Sequence, residues 1–143
     1  MTRTIFFYCL MHIINVIIRK SLVGRKMNNE NFKLLDKTKK TANYIKNITI
    51  NIPKSERILK DSIEKTIFQS IENTYYYIIQ NNENNRIKDK YLKDLLVNFA
   101  MLDYFMKCCK EEKYISNHQC NVVCKFLLEL RKITYGIIRT NKI

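Results

Sequence analysis

The stretch IKDKYLKDLLVNFAMLDYFMKCCKEEK at residues 87–113 decides the fold of this chain. Its apolar residues recur at spacings of three and four, which places them on one stripe of an α-helix. Pro53 and Gly136 are the only proline and glycine from residue 27 onwards, so little interrupts such stripes. The pattern predicts an all-α protein of long helices. The stripe starts at Tyr91 or Leu92 and continues through Leu95, Phe99, Leu102, Met106 and Cys109.

The same spacing occurs in three further segments, at about residues 31–48, 55–80 and 117–138. Connections of a few residues between long helices favour antiparallel neighbours. Residues 27–143 are therefore predicted to form one domain, an antiparallel up-down-up-down four-helix bundle, preceded by an apolar and basic extension at residues 1–26. The residues of the first helix that we expect to face the core are Phe32, Leu35, Thr38, Ala42, Ile45 and Ile48.

Local signals mark the connections. The sequence TINIP at residues 49–53 combines β-branched residues with Pro53, which disfavours helix at the residue before it. The polar run NNENN at residues 81–85 predicts the second connection. At the third, Ser116 and Gln119 have the spacing of a capping box, in which each side chain accepts a hydrogen bond from the other's backbone N–H. Gly136 predicts either a close approach between helices or fraying of the last turn.

Three consecutive tyrosines, Tyr75, Tyr76 and Tyr77, lie in the second predicted helix. Exposed aromatic rings stack on nucleic-acid bases in some proteins. At helical spacing beside Ile78 and Ile79, however, packing in a core or a subunit interface is the favoured interpretation.

The extension has three interpretations. Residues 5–18 are mostly apolar, but these fourteen residues fall short of the roughly 20 that span a bilayer. The true start is at Met27, or the segment is an additional helix docked on the bundle or on a membrane surface, or it is a signal peptide that lacks an A-x-A cleavage pattern.

The charge is strongly positive. The chain has a formal net charge of +13, and residues 27–143 keep 21 basic against 13 acidic residues, a net charge of +8. Such a surface attracts phosphate backbones or acidic protein faces, and the sign of the charge does not choose between them. A solvated lysine face with no partner is the alternative.

The residues needed for the common catalytic sites are missing from the sequence. It has two histidines, no glycine-rich loop and no Glu-x-x-His pair for a di-iron site. Five cysteines without a CxxC pair indicate cytoplasmic thiols, although Cys120 and Cys124 facing Cys108 or Cys109 would allow a zinc site. We expect no catalytic residue, no metal ligand and no cofactor.

Several motifs resemble a known family. The sequence IPKSER at residues 52–57 resembles the Phe-Pro-Lys-x-x-Arg turn of the four-helix-bundle family of 23S rRNA intervening-sequence proteins. Residues 114–116, YIS, are similar to its Gly-Tyr-Ile/Leu-Ser turn, and residues 95–106 and 127–136 to its third and fourth helices. Ile52 stands where the family has Phe, and Lys113 where it has Gly. The segment SIENTYYY at residues 70–77 resembles the branch of accessory variability determinant (Avd) proteins of diversity-generating retroelements.

This resemblance implies a non-catalytic accessory protein that assembles as a pentamer, a ring-like homo-oligomer, and binds a reverse transcriptase and its nucleic acid, RNA or DNA. The binding would involve phosphate contacts without base specificity. The matching basic positions are Lys54, Arg57, Arg131, Lys132 and Arg139.

Three alternatives stay open at this point. One is a scaffold of the same family, or an intervening-sequence-encoded protein, with no polymerase partner. Another is membrane association through residues 5–18 and the basic run at residues 19–26. At Arg57, pairing with Asp61 one helical turn later competes with any binding role.

Overall fold

The protein is described by a computed structural model that covers residues 8, 10–12, 29–80 and 85–141. Four long helices dominate it, and no strand occurs within those ranges. Residues 8 and 10–12 are helical as well. The elements are α1, Asn29–Ile48; a 3₁₀ turn, Lys54–Glu56; α2, Arg57–Gln80; α3, Asn85–Glu111; and α4, Asn117–Asn141.

Each long helix packs against two others, in the closed order α1, α2, α3, α4 and back to α1. The interior is aliphatic and aromatic, and side chains from all four helices are fully buried in it, including Ile45, Ile63, Leu95 and Leu127. The sequence thus predicted the helical class, the number of long helices and the shared core. The alternation of helix direction stays a prediction.

The stripe predicted for α1 was wrong at its beginning. Phe32 is 60% exposed, whereas Leu34 is completely buried. The buried face starts at Asn31, whose Oδ1 accepts a hydrogen bond of 3.0 Å from the Tyr77 hydroxyl on α2. At 100° per residue, Phe32 lies about 100° around the helix from Asn31, beside the core stripe and directed to solvent.

The connection between α1 and α2 has the predicted break. The Thr49 hydroxyl donates to the Ile45 carbonyl at 2.8 Å in the last turn of α1. Ile52 is buried, and Pro53 is extended before the 3₁₀ turn. The second predicted connection, residues 81–85, lies mostly outside the described residues, and Asn85 already belongs to α3.

The connection between α3 and α4 is closed by two local motifs. Lys113 has a φ of 61°, and the N–H groups of Lys113 and Tyr114 donate to the carbonyls of Lys110 and Cys109 at 3.0 and 2.8 Å, the pattern of a Schellman cap. The predicted capping box is confirmed: the backbone N–H of Ser116 donates to Gln119 Oε1 at 2.9 Å, and that of Gln119 to Ser116 Oγ at 3.0 Å.

Of the two alternatives predicted for Gly136, the close approach between helices was wrong, and fraying of the last turn stays a prediction. A Cβ built there would meet nothing within 4 Å, so no neighbouring helix requires a glycine. The helix also continues beyond it, and the Thr140 hydroxyl donates to the Gly136 carbonyl at 2.9 Å. Within the described part of the chain, no helix is both long and apolar enough to cross a membrane.

Candidate nucleic-acid interface

Two of the predicted site residues lie at the turn between α1 and α2. Lys54 is in the 3₁₀ turn and Arg57 begins α2, and both are exposed. Arg57 Nε lies 3.8 Å from the Asp61 carboxylate, one turn along α2, so the predicted competing ion pair is present. With 85% of its side chain exposed, Arg57 remains accessible to an additional anion.

Arg131 is directed towards α3 rather than outwards. Its guanidinium donates to the Phe99 carbonyl at 3.5 Å and lies near the Asp103 carboxylate. Burial raises the pKa of Asp103, but hydrogen bonds from Lys107 and Cys124 and the charges of Lys107 and Arg131 outweigh it and hold this pKa below its ordinary value. Arg131 therefore contributes to the contact between α3 and α4.

Lys132 and Arg139 lie on the exposed face of α4. Lys125 precedes Lys132 by the same seven residues that separate Lys132 from Arg139, and two helical turns bring such positions to one face. These three side chains form a basic row that is directed away from the core.

The five predicted residues do not form one cluster. Burial and, after it, the charge of Glu56 raise the pKa of the Tyr114 hydroxyl. Because Glu56 belongs to the turn between α1 and α2, Tyr114, just before α4, lies near that turn. From the start of α4, Lys132 is roughly 23 Å along the helix at 1.5 Å per residue, and Arg139 roughly 33 Å. Lys54 and Arg57 are thus well separated from the basic row of α4.

Helix α1 supplies lysines that the sequence analysis did not select. Lys33, Lys37 and Lys40 line a groove of about 370 Å³ between α1 and α4, together with Phe126 and Glu129. Beneath it, the rings of Tyr44 and Phe126 meet edge to face with centroids 5.7 Å apart. We call the lysines of this groove, taken together with the basic row of the adjoining helix α4, the α1/α4 basic face: Lys33, Lys37, Lys40, Lys125, Lys132 and Arg139.

Two carboxylates are embedded in this face. Lys37 Nζ donates to Glu129 Oε2 at 2.6 Å, and Lys40 Nζ lies 3.1 Å from Asp36. The Lys37 hydrogen bond and charge, followed by the charges of Lys125 and Lys33, hold the pKa of Glu129 below its ordinary value. Six basic side chains against two carboxylates leave a formal charge of +4.

A signal for the α1 half of this face was present in the sequence. Lys33, Lys37 and Lys40 follow the spacing i, i+4, i+7, the same spacing as a buried stripe but on another side of the helix. The candidate residues were chosen as basic positions that match the family, and none of those positions lies in α1.

The tyrosine cluster packs as predicted rather than presenting three rings to solvent. Tyr75 and Tyr77 are buried in the core. Tyr76 is partly exposed and stacks on Tyr91 of α3, with centroids 5.1 Å apart and planes 18° apart. The rings therefore join α2 to its neighbours.

The four cysteines among the described residues lie at one end of the contact between α3 and α4. Cys120 Sγ is 3.8 Å from the Met106 carbonyl, and the Cys124 thiol donates to Asp103 at 3.4 Å. Burial is the largest of the causes that raise the pKa values of Cys109 and Cys124 to about 11. Among the described residues, no three His, Cys, Asp or Glu side chains converge as metal ligands.

Comparison with known proteins gives no match: neither a family model, nor a curated protein, nor a solved structure is significantly similar to this chain. The resemblance to intervening-sequence and Avd proteins stays a prediction. Function is therefore proposed from the charges and contacts described above, together with that resemblance.

Proposed function

We propose that this chain is a cytoplasmic, non-catalytic accessory protein of a diversity-generating retroelement that binds nucleic acid and a reverse transcriptase through the α1/α4 basic face. The observation that carries the proposal is a groove lined by three lysines of α1, which adjoins a helix, α4, with a row of three more exposed basic residues. The formal excess of these six residues over the two carboxylates beside them is +4. Lys54 and Arg57 lie apart from this face, at the end of the bundle where α2 begins, and would contact the partner separately.

The chemistry of this face fits phosphate rather than bases. Five of its six cations are lysines. A lysine acts as a flexible point charge and lacks the planar guanidinium with which arginine makes paired hydrogen bonds to the edge of a base. At 1.5 Å per residue, successive charges lie about 6 and 4.5 Å apart along α1 and about 10.5 Å apart along α4. Such rows neutralise phosphates along a backbone without reading sequence.

The bundle and its assembly are part of the proposal. The closed order of helix contacts is the one expected of an antiparallel up-down-up-down bundle. Large apolar side chains remain exposed on α3 and α4, including Val97, Met101, Tyr104, Leu128 and Tyr135. Exposed apolar residues at helical spacing are typical of subunit contacts, which supports a ring-like homo-oligomer, a pentamer by family resemblance.

The nucleic-acid part is tested by fluorescence anisotropy with single-stranded RNA over a range of salt concentrations. The double variant Lys125→Glu/Lys132→Glu removes two exposed cations of the face, and Lys65→Glu/Lys93→Glu changes the same charge at exposed lysines of α2 and α3. We expect the first variant to bind at least tenfold more weakly and to lower the salt slope by about 1.4, at about 0.7 per phosphate contact. Equal losses in the two variants would contradict the location of the interface.

The polymerase part needs a separate measurement. The tagged chain is co-expressed with a reverse transcriptase encoded beside it, and the mass of the free protein is measured by light scattering. Co-purification, together with a mass near five protomers of 17.2 kDa, is the expected result. A monomer that captures no polymerase but binds RNA would instead favour a family scaffold without a polymerase partner.

A further inference from the structure

The flank of α1 opposite the α1/α4 basic face contains a second groove, between α1 and α2. A void of about 280 Å³ remains in it, lined by Ala42 and Lys46 of α1, by Ile67 and Ile71 of α2 and by Tyr8, Met11 and His12 from the beginning of the chain. Phe68 and Tyr75 extend its apolar wall. The side chains that α1 and α2 contribute are mostly apolar, which is the chemistry of a site that takes one face of an apolar helix.

Residues from the beginning of the chain already lie at this groove. Tyr8 and Met11 are helical, three positions apart, and both line it. Met11 packs against the buried core, and Lys46 Nζ lies 3.9 Å from the centre of the Tyr8 ring. Leu10, on another side of the same segment, does not line the groove and is exposed.

We propose that the groove between α1 and α2 is a helix-binding site whose occupant is this chain's own N-terminal segment, held in cis by Met11 and Tyr8. Met11 is the apolar anchor, since its thioether side chain adapts to the aliphatic surface around Ile67 and Ile71. Tyr8 is the second anchor, and the Lys46 ammonium covers its ring in a cation–π contact. Lys46 thereby gives the apolar groove a polar cover.

This site is an interaction surface distinct from the α1/α4 basic face. Its partner is an amphipathic helix that presents an aromatic ring and a flexible apolar side chain three positions apart. The chain supplies such a helix itself. A competing helix can therefore bind only to the fraction of molecules in which the N-terminal segment has left the groove. Occupancy of the groove therefore depends on the N-terminal residues and is independent of nucleic-acid binding.

The test compares the 143-residue chain with two variants. Each variant introduces one aspartate, and the two positions are adjacent in sequence. Met11→Asp places a carboxylate against the apolar groove and displaces the segment, whereas Leu10→Asp places it in solvent. The probe is a fluorescent peptide of residues 3–20 with Cys9→Ser, kept soluble by its basic ends. We expect the peptide to bind the Met11→Asp chain at least tenfold more tightly than the wild-type and Leu10→Asp chains.

Equal binding of the peptide to all three chains, or binding to none, would overturn the proposal. Circular dichroism of the variants checks that the bundle helices are retained.

A second measurement does not depend on displacement: a photo-crosslinking residue at position 11 is expected to react with α1 and α2 of the same chain. Cross-links between isotopically different chains would show that the segment is exchanged with a second copy, and cross-links to lipid in anionic vesicles would show a membrane site. Either result would overturn occupancy in cis.

Discussion

Helix α1 carries lysines on both of its flanks, but the two flanks place the ammonium groups in different surroundings. Towards α4, Lys37 and Lys40 lie 2.6 and 3.1 Å from carboxylates at the edge of the groove between α1 and α4. Towards α2, Lys39 and Lys46 lie over aromatic rings, 5.3 Å from the centre of Tyr75 and 3.9 Å from that of Tyr8.

The difference shows that lysines equal in formal charge contribute unequally to a binding surface. A lysine over a ring lays its aliphatic stem along apolar surface and contributes to packing. A lysine at a carboxylate-containing surface with a net positive excess still contributes to an attractive field for phosphate. We infer that the α4 flank serves binding and that the α2 flank serves packing.

The largest expected effect is on stability, at the α2 flank. Tyr75 is almost fully buried under Lys39, so Tyr75→Ala should lower the free energy of unfolding by about 3 kcal/mol, as truncation of a buried aromatic ring does. Tyr76→Ala, which truncates the exposed neighbouring ring, is the matched control and should cost less. Urea unfolding followed by circular dichroism measures both, and equal costs would contradict the assignment of this flank to packing.

The next effect is on binding, and it distinguishes the two flanks directly. Lys33→Glu/Lys40→Glu should weaken RNA binding about thirtyfold, or about 2 kcal/mol, because each reversal removes a phosphate contact and adds repulsion. Lys39→Glu/Lys46→Glu changes the net charge equally and should weaken RNA binding far less while lowering stability. Anisotropy titrations at one salt concentration compare the two, and equal losses of affinity would mean that only net charge matters.

A third prediction concerns the turn between α3 and α4, far from both flanks. Lys113 has a φ of 61°, which costs a residue with a Cβ roughly 1 kcal/mol, so Lys113→Gly should stabilise the fold by about that amount. Lys110→Gly, three residues earlier within α3, should destabilise it by a similar amount. Urea unfolding of both variants tests the sign, and the stabilised chain gives a background in which Tyr75→Ala can be compared while fully folded.

The sequence predicted those features that depend on neighbours along the chain. The capping box of Ser116 and Gln119 needs only two residues three positions apart, and the break at Pro53 needs only the proline ring. The apolar stripe of α3 has one register and was predicted correctly. In α1, apolar and small polar residues occupy two overlapping stripes, and the sequence analysis selected the one that contains Phe32.

The candidate site was less predictable because it depends on which helices adjoin each flank. Lys39 and Lys40 are consecutive, yet a rotation of 100° per residue directs one towards α2 and the other towards α4. Arg131 and Lys132 are separated in the same way, one contacting the Phe99 carbonyl of α3 and the other exposed. The sequence shows the type and charge of each residue, but the partner of each side chain is known only once the packing of the helices is known.

The smallest expected effect is the pH dependence of the ion pair between Lys37 and Glu129 at the α4 flank. The pKa of Glu129 lies below its ordinary value because Lys37 donates to it, so this carboxylate stabilises the fold above the unfolded-state pKa, and the contribution is lost as pH falls through the folded-state pKa. Acidification from about pH 7 to about pH 3 should therefore destabilise the wild type slightly more than Glu129→Gln, which lacks the titrating group. Glu64→Gln, at a half-buried carboxyl of α2 outside the basic face, is the control and should follow the wild type. If Glu129→Gln loses as much stability on acidification as the wild type, the ion pair contributes nothing to the fold, and Lys37 would then be as available to phosphate as Lys33.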